Sequence, residues 1–191
     1  MNPLDEIRRG LAGVWGVLRF RPEALKTFGD TPSGAARSFL AMAIGLPVYM
    51  FVLKANLAAI TPRPSLAGFL PVMLLYYVIE WLIWPNLMVG VARRIGRARL
   101  YFRYIAAYNW FALAQMLIMV PVQLSMLSGA LPATPGIALI GFAATVAFGV
   151  YEWFIARHGL EIEPRPAIAL VLLNLLVGLA LLQFKAFQLQ L

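Results

Sequence analysis

The chain has no cysteine, one histidine and only eight acidic residues in 191. Without cysteine there is no disulfide, no thiolate metal site and no thiol nucleophile. A lone His158 leaves a zinc or imidazole-based metal cluster short of ligands. No serine sits in a nucleophile-elbow pattern, and there is no phosphate-binding glycine loop or cofactor fingerprint. Glu161 and Glu163 flank Ile162 beside Pro164 and Pro166 and read as solvated loop charges, not a catalytic pair. Met116 and Met119 are soft enough for copper(I), but in an apolar stretch they read as packing. The expectation is no enzymatic activity, no cofactor and no bound metal.

What the chain has instead is apolar surface. Hydrophobic residues make up 62% and charged residues only 13%, and the mean hydropathy is +0.80. That is the composition of an integral membrane protein. The length allows one small domain and no separate soluble enzyme. The net charge of +8 invites a nucleic-acid partner. However, the basic residues border apolar runs and form no basic face of a soluble fold, so membrane topology explains them and no nucleic-acid partner is expected.

The pattern predicts an all-α polytopic membrane helix bundle in two parts. Residues 1–30 form an amphipathic interfacial segment, and residues 31–191 hold five transmembrane helices at about 38–60, 66–92, 104–127, 136–156 and 167–184. Asn2-Pro3 is a helix-start signature, after which Leu4, Ile7, Leu11, Val14, Trp15 and Leu18 recur at helical spacing. This helix is too polar to span. It reads as lying on the membrane with Trp15 at headgroup level and Arg8, Arg9 and Arg19 toward anionic lipid, the alternative being a helix packed on the protein's own spans. Residues 1–30 carry Asp5, Glu6, Glu23 and Asp30 and do not resemble a cleaved signal peptide. A second short helix is expected after Arg21-Pro22, ending near Gly29. Thr31-Pro32 opens the first span, and the two prolines in Thr61-Pro62-Arg63-Pro64-Ser65 make a turn. Pro71 and Pro85 predict tilt or a kink in the second span.

Five spans place the termini on opposite sides. Apart from Arg63, Lys185 and the intramembrane Lys54, every Lys and Arg falls on the N-terminal side, Arg93, Arg94, Arg97 and Arg99 in one short loop among them. The expected topology is a cytoplasmic N-terminus and a periplasmic C-terminus, and the short loops suit a bacterial inner membrane.

Ionisable groups inside a bilayer are costly, so each raises a question of function. Lys54 toward the outer end of the first span and Glu80 mid-way along the second are expected within one or two turns in depth, close enough for an ion pair or relay. For Glu80 a structural ion pair, a proton or substrate relay, and a contact to a headgroup or partner all remain open. Asn86 is expected to satisfy the carbonyl that Pro85 leaves unpaired. Asn109 and Glu152, each between aromatics near the cytoplasmic face, are expected to hydrogen-bond across two helices, with a ligand site as the alternative. Gln115, Gln123 and Asn174 read as inter-helix hydrogen-bonders. Gly141, Thr145 and Gly149 on the fourth span, and Ala41 and Gly45 on the first, have the small-residue spacing of close helix packing.

The order of parts resembles the bacterial members of the Yip1-domain family of small five-span membrane proteins. The resemblance is carried by Leu18-Arg19-Phe20-Arg21-Pro22-Glu23 after the first helix, and by Ile95-Gly96-Arg97-Ala98-Arg99 with the following Tyr101-Phe102-Arg103-Tyr104-Ile105-Ala106-Ala107-Tyr108. The chain lacks the long polar N-terminus and the Asp-Leu-Tyr-Gly-Pro-type segment of eukaryotic members, so no small-GTPase role follows. The resemblance implies a non-enzymatic protein that organises lipids or other proteins.

The expected function is accordingly a non-catalytic accessory or assembly subunit, or a lipid or protein organiser. Expected partners are anionic lipids on the cytoplasmic side and other membrane proteins, in a larger complex or a homo-oligomer. The alternative is a small transporter or channel using Lys54 and Glu80.

Overall fold

The computed structural model describes residues 2–59, 66–131 and 134–189. The expected turn at Thr61–Ser65 lies outside them. Among the described residues the chain is helical, with α1 Pro3–Val17, a 3₁₀ helix Pro22–Thr27, α2 Pro32–Ser38, α3 Leu40–Ala59, α4 Leu66–Arg94, a 3₁₀ turn Ala98–Leu100, α5 Tyr101–Leu127, α6 Pro135–Gly159 and α7 Pro164–Leu189. Five segments are long and apolar enough to cross a membrane: Pro32–Leu57, Ala67–Arg94, Ala98–Leu127, Pro135–Gly159 and Pro164–Gln188. They are compatible with an integral membrane protein.

Local chemistry sets several helix ends. Asn2 Oδ1 accepts from the Leu4 amide at 3.1 Å, and Thr31 Oγ1 accepts from Gly34 N at 3.1 Å. Thr134 Oγ1 does the same for Ile137 N at 3.3 Å. At the end of α4, Gly96 takes φ 71°, and Arg97 N returns to Ala92 O at 2.7 Å. A left-handed residue of this kind closes a helix, and glycine adopts it without strain. The first span is broken where sequence predicts one run, because Phe39 separates α2 from α3. The short second helix is a 3₁₀ helix, entered through Phe20 at φ 52°.

Packing is dense at the end where the arginines gather, called here the basic end. Tyr104, Ile105, Ala107, Trp110 and Phe111 of α5 are buried there with Ile155 and Ala156 of α6, Met88 and Ala92 of α4, and Ala167 of α7. Toward the opposite end Leu139, Ile140 and Phe142 of α6 and Leu176, Leu182 and Phe184 of α7 are exposed. α3 packs along α5, α5 along α6, and α6 along α7, while α4 touches α5 and α7.

α1 lies against α5, the 3₁₀ helix and α6 at this basic end. Its buried face is Glu6, Gly10, Gly13, Val14, Gly16 and Val17, and of the apolar stripe only Val14 is buried, with Ile7 and Leu18 half-buried against the core. A side chain added at Gly10 meets the Trp110 indole, one at Gly13 meets Phe28, and one at Gly16 meets Ala24, so the glycines let the helix backbone settle on its neighbours. Leu4, Leu11 and Trp15 point outward at 60%, 55% and 57% exposure. Glu6 is held by Arg9 and Arg37, each at 3.2 Å.

Candidate functional site

Away from the basic end the helices part around two cavities. One, of about 700 Å³, lies among α4, α5, α6 and α7. The other, of about 750 Å³, lies among α3, α4 and α5, with Lys185 of α7 also on its wall. Glu80 and Tyr108 line both, so the cavities abut at the middle of α4. Their walls are mainly apolar, with a few polar groups at fixed places, which is the lining of a small-molecule site.

Glu80 is paired, but not with Lys54. Lys185 Nζ donates to Glu80 Oε1 at 2.9 Å and sits 5.8 Å from the centre of the Tyr76 ring. Tyr76 OH in turn donates to Gln188 Oε1 at 2.8 Å. Leu53 is buried with Met73 and Tyr76 of α4. The next residue turns about 100° around the helix, which leaves Lys54 exposed. By sequence the apolar run stops at Phe184 and leaves Lys185 among the outer charges, whereas α7 itself continues to Leu189.

Nearer the basic end is a second polar group. Asn174 Nδ2 donates to Glu152 Oε2 at 2.9 Å, and Tyr108 OH donates to Asn174 Oδ1 at 3.4 Å. Trp84 Nε1 donates to Tyr104 OH at 2.9 Å just beyond, and Trp84 and Tyr108 have ring centres 6.2 Å apart. Tyr104 and Tyr108 are one helical turn apart on α5, which puts both hydroxyls on the face turned to α4 and α7.

The expected bond between Asn109 and Glu152 does not form. Asn109 follows Tyr108 and so faces the other way, donating through Nδ2 to Ser38 Oγ at 2.9 Å in a fully buried position. Ser38 Oγ donates onward to Ala35 O at 2.7 Å. The break between α2 and α3 brings this serine to α5, and sequence periodicity carries no sign of it. Asn86 Nδ2 donates to Leu82 O at 2.8 Å. The carbonyl that Pro85 deprives of its usual amide is that of Trp81, so the side chain covers the next carbonyl along. Gln115 lines the first cavity and Gln123 the second, and among the described residues neither makes a side-chain hydrogen bond to another helix.

The small-residue sites divide. Gly45 is tight, with Tyr77 and Met116 against it, and Gly149 meets Val171. Gly141 has open space where a side chain would go. Thr145 donates to its own helix at Gly141 O, 3.0 Å away. Both are exposed and line the first cavity, so this part of α6 borders the opening instead of packing on a helix.

At the basic end Arg93 and Arg94 in the last turn of α4 and Arg97 just beyond it are exposed, as is Arg8 on α1. The Arg19 guanidinium lies 4.2 Å over the Trp15 ring. Arg103 donates to Gly159 O at 2.9 Å and to Glu161 Oε1 at 2.7 Å, which covers the last carbonyls of α6 with a cation. Glu161 stands at φ 53° in the turn that follows. Its contact with Arg103 holds the carboxyl below the usual glutamate range, first through that hydrogen bond. His158 lines a separate cavity of about 550 Å³ with Lys26, Arg103 and Arg157. Among the described residues no three His, Cys, Asp or Glu side chains gather into a metal-sized group.

No family model matches the chain, and neither a curated protein nor a solved structure shows significant similarity to it.

Proposed function

We propose that this is a non-catalytic integral membrane protein that organises lipids or partner proteins, and that its paired cavities are the seat of an amphipathic, lipid-like molecule. The observation that carries the reading is the pair of mainly apolar cavities meeting at Glu80, with Lys185 across it at 2.9 Å. An acyl chain suits the apolar walls, and a headgroup suits the few polar groups between them. The surface of α1 supports the same reading. Leu4, Leu11 and Trp15 are exposed on a helix whose other face is fastened to the bundle, with Arg8 and Arg19 beside them. Such a helix binds the interface of an anionic leaflet. In this reading the basic end faces the cytoplasm of a bacterium, the C-terminus faces the periplasm, and the Yip1-like order of parts is that of an accessory or assembly subunit.

Native mass spectrometry of the protein released from its own membrane under mild conditions tests this. Retained phospholipid, or a stoichiometric membrane partner, supports it. A bare protein that takes up no added lipid overturns it.

A second reading has an observation of its own. Glu80 and Glu152 line the same cavity, an arrangement suited to a small transporter that passes a proton or cation between carboxylates. Uptake into sealed vesicles that is lost in both Glu80→Gln and Glu152→Gln would favour transport over organisation.

A further inference from the structure

Glu152 is a carboxylate within a spanning helix that meets no cation among the described residues. It belongs to a spanning helix, about two turns from the end of α6. Its one side-chain partner is the Asn174 amide, and among the described residues no Lys, Arg or His pairs with it. Lys185, the cation on the wall of the adjoining cavity, is committed to Glu80. An ionised carboxylate in a low-dielectric site is costly unless a positive charge meets it, so the site has room for a charge from outside the chain.

The surroundings say what kind of cation fits. Trp84, Tyr108 and Phe148 line the same cavity as Glu152, and aromatic faces attract cations that shed water easily. A hard ion such as Mg²⁺ or Ca²⁺ needs six or more oxygen ligands, whereas the oxygens gathered here are those of Glu152, the Asn174 amide and the Tyr108 hydroxyl. The wall around them is mainly apolar, Val146 and Leu175 included. That combination disfavours a metal and suits a weakly hydrated charge attached to an apolar body.

We propose that the Glu152 end of this cavity binds amphiphilic organic cations, with the carboxylate meeting the charge and the aromatic side chains enclosing it. The proposal rests on the reading of the cavities as a seat for an amphiphile and names the chemical class of its ligand.

Tetraphenylphosphonium and tetraphenylborate make the test, because they share size and shape and differ in the sign of charge. Their binding to the full-length protein in lipid nanodiscs is measured by calorimetry. The expected result is saturable binding of the phosphonium at least tenfold tighter than of the borate, with a loss of tenfold or more in Glu152→Gln. Phe148→Leu keeps the carboxylate and removes one aromatic face. It is expected to weaken phosphonium binding several-fold, so the proposal remains testable if Glu152→Gln does not fold. Borate binding as tight as phosphonium binding, or phosphonium binding indifferent to both substitutions, overturns the cation proposal and leaves the amphiphile seat standing. Failure of both ions and of added phospholipid to bind overturns the seat together with the proposal.

Discussion

Lys185 and Glu80, 105 residues apart in sequence, meet at 2.9 Å and tie α7 to α4. α4 also packs on α5 and bonds to α3 through Tyr49 OH to Met73 O and Tyr77 OH to Met42 O, and the contact with α7 lies where the two cavities abut. Both side chains keep some exposure, 23% and 38%, and the interaction is reduced accordingly. A double-mutant cycle on Glu80→Gln and Lys185→Met, read by thermal unfolding, is expected to give a coupling of about 0.5–1 kcal/mol. Lys54→Met is expected to change stability by less than about 0.5 kcal/mol. A coupling between Glu80 and Lys54, with none to Lys185, would contradict the pairing.

The glycine face of α1 gives a prediction that does not involve the cavities. Gly10→Ala and Gly13→Ala place a methyl group against Trp110 and Phe28, an overpacking that costs about 1–3 kcal/mol. The expected sign is faster proteolysis within residues 3–17 while the spans stay folded. Gly141→Ala, with open space around it, is expected to be silent. Equal resistance of all three variants would mean that α1 does not dock through its glycines.

The Arg103–Glu161 contact makes stability depend on pH in a stated direction. Its carboxyl is held below the usual value of about 4.3, so the contribution is complete above that pH. It is lost as pH falls through the lower folded-state value. Glu161 is largely exposed, which keeps the effect small. The melting difference between the wild type and Glu161→Gln is expected to be constant from about pH 6 to 8 and to fade below about pH 4. A difference that grows on acidification would be the wrong sign.

The five apolar segments were legible in the sequence because a spanning helix is fixed by length and composition, which single residues cannot hide. The caps at Asn2 and Thr31 were legible for a similarly local reason. Asn174 was legible as an inter-helix hydrogen-bonder, but which polar groups pair was not, because that depends on rotation and helix order. Depth alone put Lys54 near Glu80 and Asn109 near Glu152. One-residue turns of about 100° send Lys54 and Asn109 elsewhere, and the adjacency of α4 and α7 supplies Lys185. On α1 the apolar stripe drew attention to Leu11 and Trp15. The three-residue spacing of Gly10, Gly13 and Gly16 was the mark of the buried face.

The cavities that meet at Glu80 lie away from the closely packed basic end. The absence of native cysteine makes single-cysteine accessibility the most direct test of this arrangement. Thr145→Cys borders the first cavity and Ala156→Cys lies in the packed basic end. A membrane-impermeant thiol reagent is added to oriented vesicles from the side opposite the arginine-rich loops. Rapid labelling of Thr145→Cys, slowed by a bound amphiphile, and none of Ala156→Cys are expected. Labelling of Ala156→Cys with Thr145→Cys protected would contradict this arrangement.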